Sequence, residues 1–312
     1  MRIAIMYDSI DWIVNKMSNN IIKYAPKDCE FTKFDVGISY DELLELANTH
    51  DIVYSSFWQP FCKHGHILRD DFPKNKVVIQ VHHLMEKFDH EYDSNTDKLL
   101  YAKHIAYYSR NGQESLSKIG YKGNLYKLNQ YVDSNDFKHI KPVFDNKLII
   151  GSFGAVDRAR KAFWVLKDAL KLLPDAELVI TRGNVKGDNV MKAGRVTDNE
   201  LIDLFKSINV YVSTANVEGG PMGALEAMAA SIPVVVTNTG FAGDIIKHGI
   251  NGFIIPFQDP TALKNRLEWI KNNYEEARAI GQNGRMTVAK YGPKEFSKQY
   301  IKLFNKIIEG DT

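Results

Sequence analysis

Short apolar runs that stop at polar turns, each handing over to a segment with helical spacing, recur through both halves of this chain. RIAIMY stops at Asp8–Ser9, and CEFTKFDV, DIVYSSF, VVIQV and HIAYYS follow as further strand candidates. Between the first two, DWIVNKMSNNIIKYA sets Ile13, Met17 and Ile21 at helical spacing, with Ser9 or Asp11 available as cap. SYDELLELANT repeats the arrangement and opens with Ser39 or Asp41. A strand that is apolar on both faces needs helices on both sides, so the alternation predicts a parallel, doubly wound sheet. In such sheets ligands bind at the carboxyl ends of the strands.

The pattern breaks at the polar stretch HIKPVFDNK, which holds Pro142, and restarts with LIIGSFGA. After a basic loop, VDRARKAF, come the helical WVLKDALKLL, the strand and turn ELVITRG, a helix capped by Thr197 or Asp198, and the strand VYVST. A chain of 312 residues, 44% of them hydrophobic, is sized for two domains of roughly 150 residues with a core each. The expected division is 1–140, 141–292 and a terminal helix over 293–312, whose Phe296, Tyr300, Leu303 and Ile307 share one face.

Bulk charge excludes more than it selects. A formal charge of +2 supplies no basic field for nucleic acid. Cys29 and Cys62 show neither metal spacing nor a disulfide framework, which fits a reduced, cytoplasmic setting. MRIAIMYDS reads as a buried first strand rather than a signal peptide. No apolar stretch approaches the roughly 20 residues that span a bilayer. A peripheral contact with a membrane surface stays open, as does the oligomeric state.

One run carries most of the chemistry: Glu218 to Asn238, EGGPMGALEAMAASIPVVVTN. Gly219, Gly220 and Pro221 turn into a helix-forming segment through Met222, Gly223 and Glu226, which turns again at Ser231–Ile232–Pro233 and ends in a strand. A glycine turn that opens a helix offers backbone N–H groups and the positive end of the helix dipole, a ready site for phosphate. Glu226 is placed to accept from sugar hydroxyls beside that phosphate. The same residues also suit a strand–loop–helix corner with solvated glutamates. Arg158, Arg160 and Lys161 gather where another strand hands over to a helix, which suits a diphosphate as well as it suits a basic surface turn.

The seven residues between Glu218 and Glu226 resemble the donor-site motif of GT-B glycosyltransferases of the retaining family 4 type. That resemblance is strongest from Leu148 to Pro256. It implies two doubly wound Rossmann-like domains facing a cleft, the second binding a nucleotide-diphosphate sugar, with the last helix packed back on the first domain. It implies transfer of the sugar to a hydroxyl acceptor with retention of configuration, without a metal or other cofactor, from a UDP- or GDP-sugar. It assigns His82, with His83 beside it, to the transferred sugar; Glu218 to the donor sugar hydroxyls; Glu226 to the ribose; and Lys161 to the diphosphate. Gly183 and Val196, next to Arg195, lie on the two loops that hold the base through backbone groups. Asn129, Val132, Asp133 and Phe137 resemble the stretch closing the first domain, with Gln130–Tyr131 where one glycine is usual.

The match also fails in places. Ala155 stands where an arginine is usual, so Arg158 or Arg160 is the replacement, with Arg158 expected. Asp8–Ser9–Ile10–Asp11–Trp12 lacks the usual glycines, which makes Trp12 an acceptor-pocket candidate. Phe241 replaces a glycine and is expected to narrow the donor loop, and Asp244 replaces a glutamate. Asp89, Glu91, Asp93 and Asp97 suit a hard cation by composition. Their interleaving with Lys87 and Lys98, away from a strand end, reads as a solvated loop instead. The alternatives to a transferase are an epimerase or phosphorylase of the same architecture and a non-catalytic sugar-nucleotide-binding protein.

Overall fold

A computed structural model describes residues 1–7, 13–35, 37–58, 61–62, 65–84, 93–142, 144, 147–183, 185, 187 and 189–310. The chain divides into two compact units, Met1–Gln130 with Pro293–Thr312, and Tyr131–Gly292. The division falls at Gln130–Tyr131, ahead of the polar stretch around Pro142.

In unit 1 the strands are β1 (Arg2–Tyr7), β2 (Glu30–Asp35), β3 (Ile52–Ser55), β4 (Val77–Val81), β5 (His104–Tyr107) and β6 (Asn124–Lys127). They form one parallel sheet in the order β2-β1-β3-β4-β5-β6. Its helices include α1 (Ile13–Lys23), α2 (Tyr40–Thr49) and α3 (Arg110–Lys118). β3, β4 and β5 are buried at every residue, as a sheet covered on both faces requires. β6 goes beyond the strands expected from the sequence. Its residues are only partly buried, so it lacks the apolar run that marks an interior strand. The two candidate caps at α2 resolve to Ser39, which forms a capping box with Glu42. Asp8 to Trp12, with the other candidate caps Ser9 and Asp11, lie outside the described residues, as do Lys87, Asp89 and Glu91.

Unit 2 holds β7 (Ile149–Ala155), α4 (Trp164–Lys171), β8 (Glu177–Arg182), β9 (Val190–Lys192), α5 (Asp198–Ser207), β10 (Val210–Ser213), α6 (Met222–Ala229), β11 (Val234–Thr237), α7 (Gly240–Ile245), β12 (Phe253–Ile255), α8 (Pro260–Asn272) and α9 (Tyr274–Val288). Its sheet is also parallel, in the order β12-β11-β10-β7-β8-β9. Ile150, Val165, Leu166, Ile180, Val212, Val235 and Leu267 form part of its core. Thr197, rather than Asp198, caps α5 through a box with Glu200.

α6 is stopped by backbone geometry. Ser231 takes the left-handed conformation (φ 61°). Its N–H and that of Ile232 then donate to the carbonyls of Met228 (3.0 Å) and Ala227 (2.9 Å), the pair of bonds of a Schellman stop. From α9, Arg285 donates through Nη1 to the Ala229 carbonyl at the same end.

The last helix, α10 (Pro293–Ile308), belongs to unit 1 and packs on α1. Phe296, Tyr300, Leu303, Phe304 and Ile307 are buried, and Ser297 Oγ donates to the Ile21 carbonyl at 2.7 Å. Tyr300 carries a buried polar network beneath it. Its hydroxyl donates to Gln80 Oε1 (2.7 Å) and pairs with the hydroxyl of Tyr108 (2.6 Å), while Tyr54 donates to it at 3.3 Å. Among the described residues no helix is long and apolar enough to cross a membrane.

Candidate functional site

The carboxyl end of β7 runs into a basic turn. A 3-10 turn over Ala159–Lys161 follows Arg158, and Ala162 ends it in the left-handed region (φ 44°), a conformation a non-glycine residue adopts only at a cost. The Thr214 hydroxyl, with Oγ1 3.1 Å from the carbonyl oxygens of both Lys161 and Ala162, shares its one hydrogen between them and holds that conformation. The turn therefore presents two successive cations toward the end of β10.

The segment after β10 meets them. Asn216 N–H donates to the Arg160 carbonyl at 2.8 Å, and Arg160 Nη1 donates to the Val217 carbonyl at 3.2 Å. Glu218 then lies 8% exposed, with its Oε1 3.0 Å from Arg160 Nη1 and accepting also from Lys161 Nζ. On its other side the loop is tied to the next strand. Thr237 Oγ1 donates to the Ala215 carbonyl, Glu218 N–H donates to Thr239 Oγ1 (3.2 Å), and Phe241 N–H donates to the Gly219 carbonyl (3.0 Å). Gly240 is required here: it is left-handed (φ 63°), and a Cβ would come within 2.8 Å of the Glu218 carbonyl oxygen.

Pro221 starts α6 with its carbonyl accepting from Ala224 (2.9 Å) and Leu225 (3.2 Å), and no side chain caps that end. Its first-turn N–H groups thus open onto the loop of Gly219 and Gly220. Tyr211 lies beneath the helix start. A Cβ on Gly223 would overlap the Tyr211 hydroxyl and fall 2.8 Å from Cζ, so this turn approaches the sheet only because residue 223 has no side chain. Burial pushes the Tyr211 phenol up, and the negative charges of Glu226 and Glu218 add to the rise against the Phe153 backbone bond.

Arg158 does not join this cluster. It precedes the turn, is exposed, and contributes its carbonyl to Lys161 N–H at 2.9 Å. The arginine beside Glu218 is Arg160, whose Nη1 lies 3.0 Å from Glu218 Oε1. Phe241 does not narrow the donor loop either. It is 1% exposed and packs edge-on against Tyr291 at 5.1 Å, inside unit 2. Gly183 follows β8, beside the point where Val156 N–H donates to the Arg182 carbonyl, and Val196 is half-buried just ahead of the Thr197 cap. Thr214, Thr239 and Tyr211 were not predicted. Two hydroxyls just past strand ends and a phenol inside a strand carry no spacing signal.

His82 is in unit 1, directly after β4. Its Nε2 donates to the Ser56 carbonyl at 2.9 Å, and its ring lies 5.4 Å from that of Tyr108. Burial holds its pKa below the ordinary histidine value, and the Ser56 bond opposes this only in part, so the ring is neutral near pH 7. His83 is half-buried beside it. Asn129 is clamped by Gln299 through bonds of 2.8 and 2.7 Å, and Phe137 packs edge-on to Phe205 at 5.5 Å, so this stretch acts structurally. Among the described residues no group of three or more His, Cys, Asp or Glu side chains is arranged to hold a metal.

A family model described as glycosyl transferases group 1 matches residues 183–287, which include the loop and helix just described. An uncharacterized glycosyltransferase of Methanocaldococcus jannaschii is 30% identical over 130 residues, covering 42% of this chain and 34% of the relative. The chain spans about a third of the length of the curated relatives it matches. Solved structures match end to end. Sucrose-phosphate synthase from Thermosynechococcus elongatus superposes with a TM-score of 0.78 at 17% identity over 100% of both chains. Anabaena HepE in complex with UDP-glucose gives 0.79 at 15% identity, over 98% of this chain and 100% of that one. Two Rossmann-like units of six parallel strands each make this the GT-B fold.

Proposed function

We propose that this chain is a glycosyltransferase that takes a sugar from a nucleotide-diphosphate sugar, with a UDP-sugar the first candidate, and passes it to a hydroxyl acceptor. The observation that carries the reading is that Lys161 and Arg160 both reach Glu218, in the segment that leads to the uncapped start of α6 at the carboxyl end of the unit 2 sheet. Anionic charge grows on the leaving diphosphate as the glycosidic bond breaks, and fixed cations and helix N–H groups lower that barrier because they need no reorganisation. The ammonium of Lys161 and the guanidinium of Arg160 serve the phosphate oxygens, with the first-turn N–H groups of α6 as further donors. Glu218 accepts from hydroxyls of the donor sugar and Glu226 from the ribose.

The matched family model and the UDP-glucose complex of a structure with the same fold support a nucleotide-sugar ligand. Retention of configuration, independence of metal, and a role for neutral His82 toward the transferred sugar rest on the motif resemblance. Incubation with UDP-glucose, UDP-galactose, UDP-N-acetylglucosamine and GDP-mannose tests the reading. A bound donor raises the melting temperature with occupancy, and an enzyme releases nucleoside diphosphate at least by slow hydrolysis. No shift and no release with any donor would sink the proposal. A shift without release would favour the non-catalytic binding protein, and a changed sugar on an intact nucleotide would favour an epimerase.

A further inference from the structure

Arg160 and Lys161 both form ion pairs with one oxygen, Oε1 of Glu218. The three side chains are 12%, 19% and 8% exposed, so the cluster is largely screened from water. Arg160 is held by its bond to the Val217 carbonyl (3.2 Å), and its own carbonyl accepts from Asn216 N–H (2.8 Å), which fastens the Glu218 loop to the basic turn. A single anionic oxygen receiving an ammonium and a guanidinium is also the arrangement that a diphosphate oxygen would make with the same two groups.

We propose that Glu218 is an intramolecular competitor for the anion site of unit 2: its carboxylate holds Arg160 and Lys161 until the diphosphate of a nucleotide takes its place, with Arg160 as the second cation of that site. The inference rests on the nucleotide-sugar reading above. Exchange of one anion for another leaves neither cation buried without a partner, the state that is costly in a screened site. A nucleotide must then break the internal pair before it binds, and its apparent affinity is reduced by the fraction of the protein in which that pair is formed. Displaced from the cations, the Glu218 carboxylate accepts from the sugar hydroxyls.

The test is binding of UDP and of uridine by calorimetry to the wild type, Glu218→Gln and Glu226→Gln, with Glu218→Asp as a second variant that keeps the charge but shortens the reach. Glu218→Gln should bind UDP about tenfold more tightly, about 1.4 kcal/mol, while losing transfer. Glu218→Asp should tighten UDP binding by a smaller factor. Uridine affinity should stay at the wild-type value, and Glu226→Gln should not tighten either ligand. Unchanged or weaker UDP binding by both Glu218 variants overturns the inference, as does an equal gain for uridine, which has no phosphate. A wild type that binds no UDP overturns the nucleotide reading and this inference together, whereas wild-type binding without a gain in the variants overturns the inference alone.

Discussion

Tyr300, near the middle of the last helix, donates its hydroxyl to Gln80 Oε1 at 2.7 Å, across 220 residues of sequence. Gln80 passes the connection on, donating from Nε2 to the Ala106 carbonyl of β5 at 3.1 Å. Both side chains are fully buried, so each would carry the desolvation cost of an unmade bond if the other were lost. This network lies under the ring of Tyr108, which also touches His82, and so the end of the chain helps set the strand end that carries the histidine.

Tyr300→Phe should therefore destabilise the protein by about 1–3 kcal/mol, because it leaves the Gln80 acceptor unsatisfied in the interior. Urea unfolding of the variant against the wild type measures this. A change within about 0.5 kcal/mol, the size of an ordinary surface substitution, would contradict it.

Gly223→Ala should lower stability by about 1–3 kcal/mol through overlap with the phenol of Tyr211. Tyr211→Phe in the same chain removes the hydroxyl and should restore part of the loss. A double-mutant cycle with no coupling would show that Tyr211 does not limit the approach of α6.

Lys161→Met should cut donor turnover by about a hundredfold or more, the size of loss seen when one fixed group facing developing anionic charge is removed. Glu226→Ala should act on binding instead, reducing the rise in melting temperature produced by the donor. Steady-state rates and thermal shifts separate the two effects, and wild-type values in both variants would remove the site assignment.

Acid should weaken the fold through His82 and His104. Burial depresses both imidazoles, and Lys103 adds to the depression at His104. Each is held neutral in the folded chain, whereas the unfolded chain takes up a proton as the pH drops through about 6.5. Their contribution is thus complete above that value and is lost as the pH falls toward the depressed folded values. Unfolding free energies between pH 7.5 and 5.5 should decline, and His104→Gln should flatten the decline. An identical slope in that variant would exclude His104 as a source.

Transfer should persist in EDTA, since the charge on the leaving group is assigned to Lys161, Arg160 and α6. Complete loss of activity restored by manganese would overturn that assignment.

Local order along the chain points to two doubly wound units and to a glycine turn that opens a helix after β10. Apolar runs such as VVIQV and VVVTN, alternating with helices, have few other ways to cover both faces, and the glycine turn before GALEAMAA marks a helix start through backbone freedom alone. β6 and β9 escaped this reading because they are short and partly exposed, so periodicity has little to register. α8 and α9 fill the stretch from Pro260 to Val288, where the sequence pattern suggests no element. Contacts between distant segments were decided only by the tertiary structure. Arg160, rather than the expected Arg158, is the partner of Glu218. Tyr291 draws Phe241 into the core, away from the loop it was expected to narrow. The pairing of Gln80 with Tyr300 likewise joins segments 220 residues apart. Strand and helix patterns repeat over two to four residues and can be read locally, but a side chain's partner across dozens or hundreds of residues depends on which surfaces the finished sheet brings together.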